Sequence, residues 1–468
     1  MKNIIMLVID TARAVDTYSG YMPNLNYLAR KGTVYENAIS PGTWTATSHA
    51  SFFSGKNVSS LPLASRNFME KGDIDPWMVK TKFLSESEKT LALKLKAYGY
   101  SSIMFSNNPF VNSFTNLGLG FDKTYDIWQE SNIKYKKGLA SRVSGFLAAP
   151  ARARMYYASY MVASLIPKAL LDKLYLYLRI KLDKQVAEAD GTSKLDRGVN
   201  DTIAQISHYL QVHAYYEQKP KFMFINLMEA HENYPVSRDI VQDKWLYLSG
   251  IMPIEESTFK EFHKGYMKRL SYIDSKLSIM LSTLKKYGML DDATLIVTSD
   301  HGQLFGEHNL LYHSVFPYAN EIHVPLVVAN YKNGRIISFG DRVRNNISIN
   351  SLHDAILRLA SGKEEYLNGN LRIERYVKSE HTGISEGWDA PLLKLLSKRS
   401  SNARAILKAK LECNAKATAI YYGNLKLVHF FGKMKDELYD IEKDPEEENN
   451  IISSRRYEAK SLLAKISS

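Results

Sequence analysis

The sequence predicts an α/β fold: a three-layer α/β/α sandwich with a mainly parallel central sheet, plus a smaller C-terminal antiparallel α+β unit. Three observations predict it. An uninterrupted apolar run opens the chain from Ile4 to Ile9, the pattern of a strand buried on both faces. Strand-like and helix-like stretches then alternate as far as Ala329, as parallel strands joined by covering helices require. Near the end, two extended runs flank Gly423-Asn424, a hairpin signal.

The elements follow in order. Pro23 to Arg30 reads as a helix with proline near its start and a stop at Gly32. Thr33-Val34-Tyr35 and Ala38-Ile39-Ser40 read as two short extended pieces. Thr90 to Tyr98 sets Leu91, Leu95 and Tyr98 on one helical face, and Gly99 ends it before a strand over Ser101 to Ser106. Lys221 to Leu227 is a strand, and Glu261 to Tyr287 is a long helix closed by Gly288. A strand over Ala293 to Thr298 runs into Ser299-Asp300-His301-Gly302, and Val324 to Ala329 forms another. Thr418 to Tyr422 and Leu425 to Phe430 make the hairpin, and Arg455 to Ile466 a terminal helix. The chain divides into a larger unit, 1–370, and a smaller one, 371–468. Into the larger is set a basic, Leu- and Tyr-rich helical stretch at about 130–200, a cap on the core or, over about 140–185, a membrane-surface contact.

Bulk properties narrow the function. The chain has 468 residues, 45% of them hydrophobic, and a formal net charge of +12. That balance favours anionic partners: phosphate or sulfate groups, nucleic acid or an anionic membrane surface. The basic stretch carries no nucleic-acid-binding module, so no nucleic-acid partner is expected. The single cysteine, Cys413, excludes an intrachain disulfide and a thiolate metal cluster. The opening apolar run is short for a signal peptide, and no run reaches the roughly 18 residues of a spanning helix. The expected location is cytoplasmic, or peripheral to a membrane.

Three strand ends carry chemistry. Asp10 follows the first strand, His231 the Lys221 to Leu227 strand, and Asp300 with His301 the Ala293 to Thr298 strand. Ligands of open α/β sheets gather at the carboxyl ends of strands. An Asp, Asp and His set there suits a hard cation or zinc. Singly, each has a plain structural reading: a helix cap for Asp10, a satisfied turn residue for His231.

Four blocks together resemble the sulfatase family of the alkaline-phosphatase superfamily. They are Ile4 to Arg13 with Met22-Pro23-Asn24-Leu25, and Ser40-Pro41 with Trp44 to Gly55. Then come Ser299-Asp300-His301-Gly302 with Gly306-Glu307-His308 and His313, and Glu437 to Glu446. They occur in order over nearly the whole chain except the basic stretch. The resemblance implies that Asp10, Thr45, Asp300 and His301 hold one divalent cation, Mg, Mn or Ca, with Zn admitted by the histidine. It sets Thr45 at the nucleophile position and His231 and His313 at catalytic, substrate-contacting positions. Arg13, Asn107, Asn108 and His49 are the further substrate-binding candidates.

Two departures from the family pattern matter. The aldehyde cofactor of ordinary sulfatases is made from Cys or Ser in a segment with Pro two residues on and Arg four on; here Thr45-Ala46-Thr47-Ser48-His49 stands instead. A threonine cannot be converted in that way, and superfamily members with a threonine nucleophile act on phosphate, as phosphodiesterases and phosphoglycerol transferases. Thr11 stands where many members have a second Asp, which favours one cation over two. The resemblance therefore implies a metal-dependent hydrolase of a sulfate or phosphate ester. The alternatives are a phospho- or phosphoglycerol-type transferase acting on a glycan or lipid, and a non-catalytic protein binding an anionic glycan or lipid.

Overall fold

Successive side chains of a strand point to opposite faces, and the opening strand uses both. Ile5, Leu7 and Ile9 enter one apolar core, while Ile4, Met6 and Val8 enter another. A strand apolar on both sides needs a covering layer on each. In the computed structural model, which describes residues 1–61, 82–128, 195–213, 219–232, 256–383, 415–432 and 434–466, it spans Asn3–Ile9 at the centre of the sheet.

Among the described residues that sheet has ten strands. Its main path runs Arg342–Ser348, Thr33–Ile39, Leu326–Lys332, Asp292–Thr298, Asn3–Ile9, Lys221–Leu227, Ser101–Ser106, Lys123–Asp126. The five strands from Asp292–Thr298 to Lys123–Asp126 are mutually parallel. Leu326–Lys332 is antiparallel to both its neighbours. Pro325 offers no N–H, and its carbonyl accepts from Thr298 Oγ1 at 2.8 Å, so the expected Val324 to Ala329 strand starts after the proline. Thr33–Ile39 is one strand, where the sequence suggested two pieces. Its polar middle, Glu36 and Asn37, is half-buried; pairing along Arg342–Ser348 carries the strand through it.

The 31-residue helix Glu256–Lys286 covers one face with Phe262, Tyr266, Leu270, Ile273, Leu277 and Met280. It also organises the first loop. Asp274 accepts from the backbone N–H groups of Asn24 and Leu25 at 2.9 and 2.8 Å, at the start of helix Pro23–Lys31, a favourable place for a carboxylate. Tyr266 Oη donates to the Thr11 carbonyl at 3.1 Å and accepts from Arg13 N–H at 2.9 Å.

The C-terminal unit is an antiparallel sheet of Val377–His381, Lys416–Tyr422, Leu425–Phe431 and Glu437–Asp440. Helix Arg456–Ile466 packs Ala459 and Leu462 on Ile420, Leu427 and Leu438. Lys426 and Glu447 form a fully buried ion pair within it. The edge strand meets the central domain: Glu380 N–H donates to the Pro41 carbonyl at 2.9 Å, and His381 Nδ1 lies 2.8 Å from Thr43 Oγ1. The basic stretch up to residue 194, with its expected membrane contact, lies outside the described residues. Among those described, no helix is long and apolar enough to cross a membrane.

Candidate functional site

The parallel arrangement brings the carboxyl ends of Asn3–Ile9, Lys221–Leu227, Asp292–Thr298 and Ser101–Ser106 to one edge of the sheet. Asp10, Asp300 and His301 meet there, all fully buried. Helix Thr45–Ser54 points its first turn at them, and every residue of that helix is buried. Thr45 Oγ1 lies 3.5 Å from Asp10 Oδ2 and 3.3 Å from His301 Nε2. His301 Nε2 is 3.6 Å from Asp300 Oδ2 and 3.9 Å from Asp10 Oδ1. His301 Nδ1 donates to the Gly302 carbonyl at 2.9 Å. A carbonyl only accepts, so the ring carries its proton there and presents the Nε2 lone pair to the centre.

This set fits a cation. Asp10, Asp300 and His301 each offer a ligand atom, and these atoms lie within 4.8 Å of one another. Asp10 Oδ1 and Asp300 Oδ2 are buried without a hydrogen-bond partner, which a buried carboxylate oxygen tolerates poorly unless a positive charge faces it. Burial and the neighbouring Asp300 raise the Asp10 carboxyl well above its ordinary range. Burial opposes the Asp300 charge too, but His301 and His49 outweigh it and hold that carboxylate below its usual value. Two carboxylates, one imidazole lone pair and a nearby threonine oxygen are donors of the kind that suit Mg, Mn, Ca or Zn.

The other candidates take different places. Asn108 reaches the centre: its Nδ2 donates to Asp10 Oδ2 at 2.5 Å, while its Oδ1 accepts from Phe110 N–H at 2.8 Å. Asn107 turns to the helix Val199–His213, where its Oδ1 accepts from Thr202 Oγ1 at 2.9 Å. His49 lies beneath Thr45 with no exposed surface. Its Nδ1 donates to the Thr45 carbonyl at 2.8 Å, its Nε2 accepts from Asn226 at 3.3 Å, and burial lowers its pKa to about 4. Arg13 is held between Asp16 at 2.9 Å and Glu307 at 2.8 Å. Thr11, beside Asp10, sits at a φ of 62°, where a β-branched residue costs about 1–3 kcal/mol.

His231 and His313 are brought together with ring centroids 4.9 Å apart, and His313 lies 4.5 Å from the His301 ring. Between them sits Glu232, whose Oε2 is 3.2 Å from His231 Nδ1 and 3.4 Å from His313 Nδ1. Gln303 completes the group, donating from Nε2 to Glu232 Oε2 and accepting from His313 Nδ1, each at 2.9 Å. Sequence reasoning missed Glu232 and Gln303. Their signal was position alone, each within two residues of a flagged histidine.

A sequence model of the sulfatase family matches residues 2–362. An arylsulfatase of Clostridium perfringens is 24% identical over 206 residues, 44% of this chain and 38% of that protein. An N-acetylglucosamine-6-O-sulfatase of Bacteroides thetaiotaomicron is 26% identical over 239 residues, 47% of this chain and 39% of that protein. The matches thus span less than two fifths of these curated relatives' own length. Among solved structures, a 2-O GAG sulfatase superposes with a TM-score of 0.63 at 14% identity, covering 99% of this chain and 91% of that one. A phosphonate monoester hydrolase of Agrobacterium radiobacter gives 0.60 at 16% identity, with 100% and 94% covered. At such identities these two likenesses are of fold.

Proposed function

The chain belongs to the sulfatase family of the alkaline-phosphatase superfamily, and from that premise we propose that it cleaves a sulfate or phosphate ester, with Thr45 as nucleophile beside one divalent cation. The observation that carries the reading is the approach of Thr45 Oγ1 to Asp10 and His301, next to two buried carboxylate oxygens without partners. A cation bound by Asp10, Asp300, His301 and Thr45 would lower the hydroxyl's pKa and neutralise charge on the ester oxygens.

The chain's own groups do the rest. Thr45 opens a ten-residue helix, whose N-terminal end favours the negative charge that develops on its oxygen. His49 fixes the Thr45 carbonyl from below, and Asn108 fixes the Asp10 carboxylate from the side. His231 and His313 are the candidates to protonate the departing oxygen, an effect worth roughly 10²–10⁴ in rate. A threonine cannot become an aldehyde, which favours phosphate chemistry, such as that of a phosphodiester. The sulfated-sugar names among the relatives favour an anionic glycan as the body of the substrate. The single cysteine accords with a cytoplasmic location.

The test is release of p-nitrophenol from the sulfate, the phosphate monoester and a phosphodiester, with Mn, Mg, Ca or Zn, beside Thr45→Ala and Asp300→Asn. Metal-dependent turnover abolished by both substitutions is expected. Turnover that persists in Thr45→Ala would overturn the nucleophile. Metal-loaded protein inactive on all three, yet moving a phosphoryl group to a sugar or glycerol hydroxyl, would make the protein a transferase.

A further inference from the structure

Among the described residues, the acceptors that face the Nδ1 atoms of the two outer histidines force their roles. Glu232 Oε2 is a carboxylate oxygen and accepts only, so the Gln303 amide must present its N–H₂ to it, at 2.9 Å. That orientation turns the Gln303 carbonyl oxygen towards His313 Nδ1, at 2.9 Å, and an amide oxygen also accepts only. His313 must therefore carry its proton on Nδ1. The Glu232 carboxylate, 3.4 Å from the same nitrogen, makes the same demand directly. On the other side, His231 Nδ1 faces the Glu232 main-chain carbonyl at 2.9 Å and the Glu232 carboxylate at 3.2 Å. Both again only accept, so His231 also carries its proton on Nδ1.

Resting on the ester-cleaving reading of the adjacent centre, we propose that Glu232 and Gln303 are positioning residues that lock His231 and His313 as Nδ1–H tautomers, leaving Nε2 as the single atom through which each takes up and delivers a proton. A free neutral imidazole prefers the opposite tautomer, so the lock is a property of this cluster. When Nε2 accepts a proton from an attacking hydroxyl, both ring nitrogens carry hydrogen. The positive charge then lies against Glu232, and the same Nε2 proton passes to the departing oxygen. The charge is stabilised where it forms, by a carboxylate already in place.

His231, Glu232 and His313 also offer ligand atoms within 4.8 Å of one another, the spacing a second cation would need. The hydrogen bonds argue against that use, since both Nδ1 atoms point at acceptors that demand a proton on them.

The test uses the full chain loaded with Mg or Zn and labelled with ¹⁵N-histidine. His231→Gln and His313→Gln assign the two sets of ring signals. The wild type should show both neutral rings protonated on Nδ1. The double variant Glu232→Leu/Gln303→Leu removes both acceptors facing His313 Nδ1 and should move His313 towards the Nε2–H form, while His231, whose Nδ1 keeps the main-chain carbonyl of residue 232, stays as Nδ1–H. Glu232→Gln, which is nearly isosteric, should lower kcat on an alkyl ester by about 10²-fold, with a much smaller change on the p-nitrophenyl ester and little change in KM, because only a poor leaving group needs the proton. Wild-type rings protonated on Nε2, or a His313 spectrum in the Glu232→Leu/Gln303→Leu variant identical to wild type, would overturn the proposal. So would two ions per chain that fall to one in Glu232→Gln, which would make the cluster a metal site. If the wild type cleaves neither ester, the ester reading fails, and the ring spectra still decide the tautomer lock.

Discussion

Removing the cation should make the folded chain sensitive to alkali in a way that one substitution cures. Asp10 and Asp300 offer oxygens within 4.8 Å of each other in a fully buried site. At an effective dielectric of about 20, two unit charges about 4.8 Å apart repel by roughly 3.5 kcal/mol. Burial first, and then the pair's resistance to double ionisation, hold the Asp10 carboxyl well above its ordinary 3.8. A carboxyl with a raised folded pKa contributes stability below pH 3.8 that is lost as pH rises through the folded value. Chelated wild type should therefore lose up to about 3 kcal/mol as pH rises from 4. Asp10→Asn should flatten that slope, and so should saturating Mn. In the wild type, Mn at about 100 times its dissociation constant should add roughly 2.7 kcal/mol. At about 2.1 cal/mol/K per residue, that is a rise of roughly 3 °C in melting temperature. Asp300→Asn should lose this metal-dependent rise. The assay is thermal unfolding of all three proteins with EDTA or Mn across pH 4–8. A chelated wild type whose pH slope matches that of Asp10→Asn would refute the reasoning.

Other sites make separate demands. Glu229 accepts from Arg197 and Val199 N–H at the start of the Val199–His213 helix, and burial pushes its pKa up to about 7. Its contribution is full below pH 4.5 and lost as pH rises to about 7, so Glu229→Gln should remove about 3 kcal/mol of pH dependence across that window, read by urea unfolding. Lys426→Met leaves the Glu447 carboxylate buried without its cation and should cost about 3–5 kcal/mol in the same assay, with a second change, Glu447→Gln, restoring most of it. Asn108→Leu removes the donor to Asp10 Oδ2 and should weaken cation binding by about 10- to 100-fold in calorimetric titration.

Much of the architecture was legible because the central strands are written in unbroken apolar residues. Ile4 to Ile9 has no polar residue to misplace it, and Asp10 had to emerge at its end. Where pairing rather than composition decides, the sequence was less informative. Glu36 and Asn37 interrupt a strand that its neighbours nonetheless complete, and nothing local announces that Leu326–Lys332 runs against the parallel set. The site divides similarly. Asp300-His301 stands out as a compact block, but the Asn107-Asn108 pair could not be sorted. Adjacent residues turn to different sides, and the bond that selects Asn108 spans 98 positions. Glu232 and Gln303 are ordinary surface-type residues until the fold sets them 71 positions apart in one hydrogen bond.

The edge strand Val377–His381 has a consequence for biosynthesis. Its Glu380 and His381 brace Pro41 to Thr43, the segment leading into Thr45, and it is itself paired along Lys416–Tyr422. Synthesis as far as residue 301 supplies Asp10, Thr45, Asp300 and His301, the proposed cation ligands, while the segment leading into Thr45 still lacks this lateral support. That support arrives only when residues beyond 377 have emerged and paired. The approach to Thr45 is thus braced by contacts that reach 338 positions along the chain.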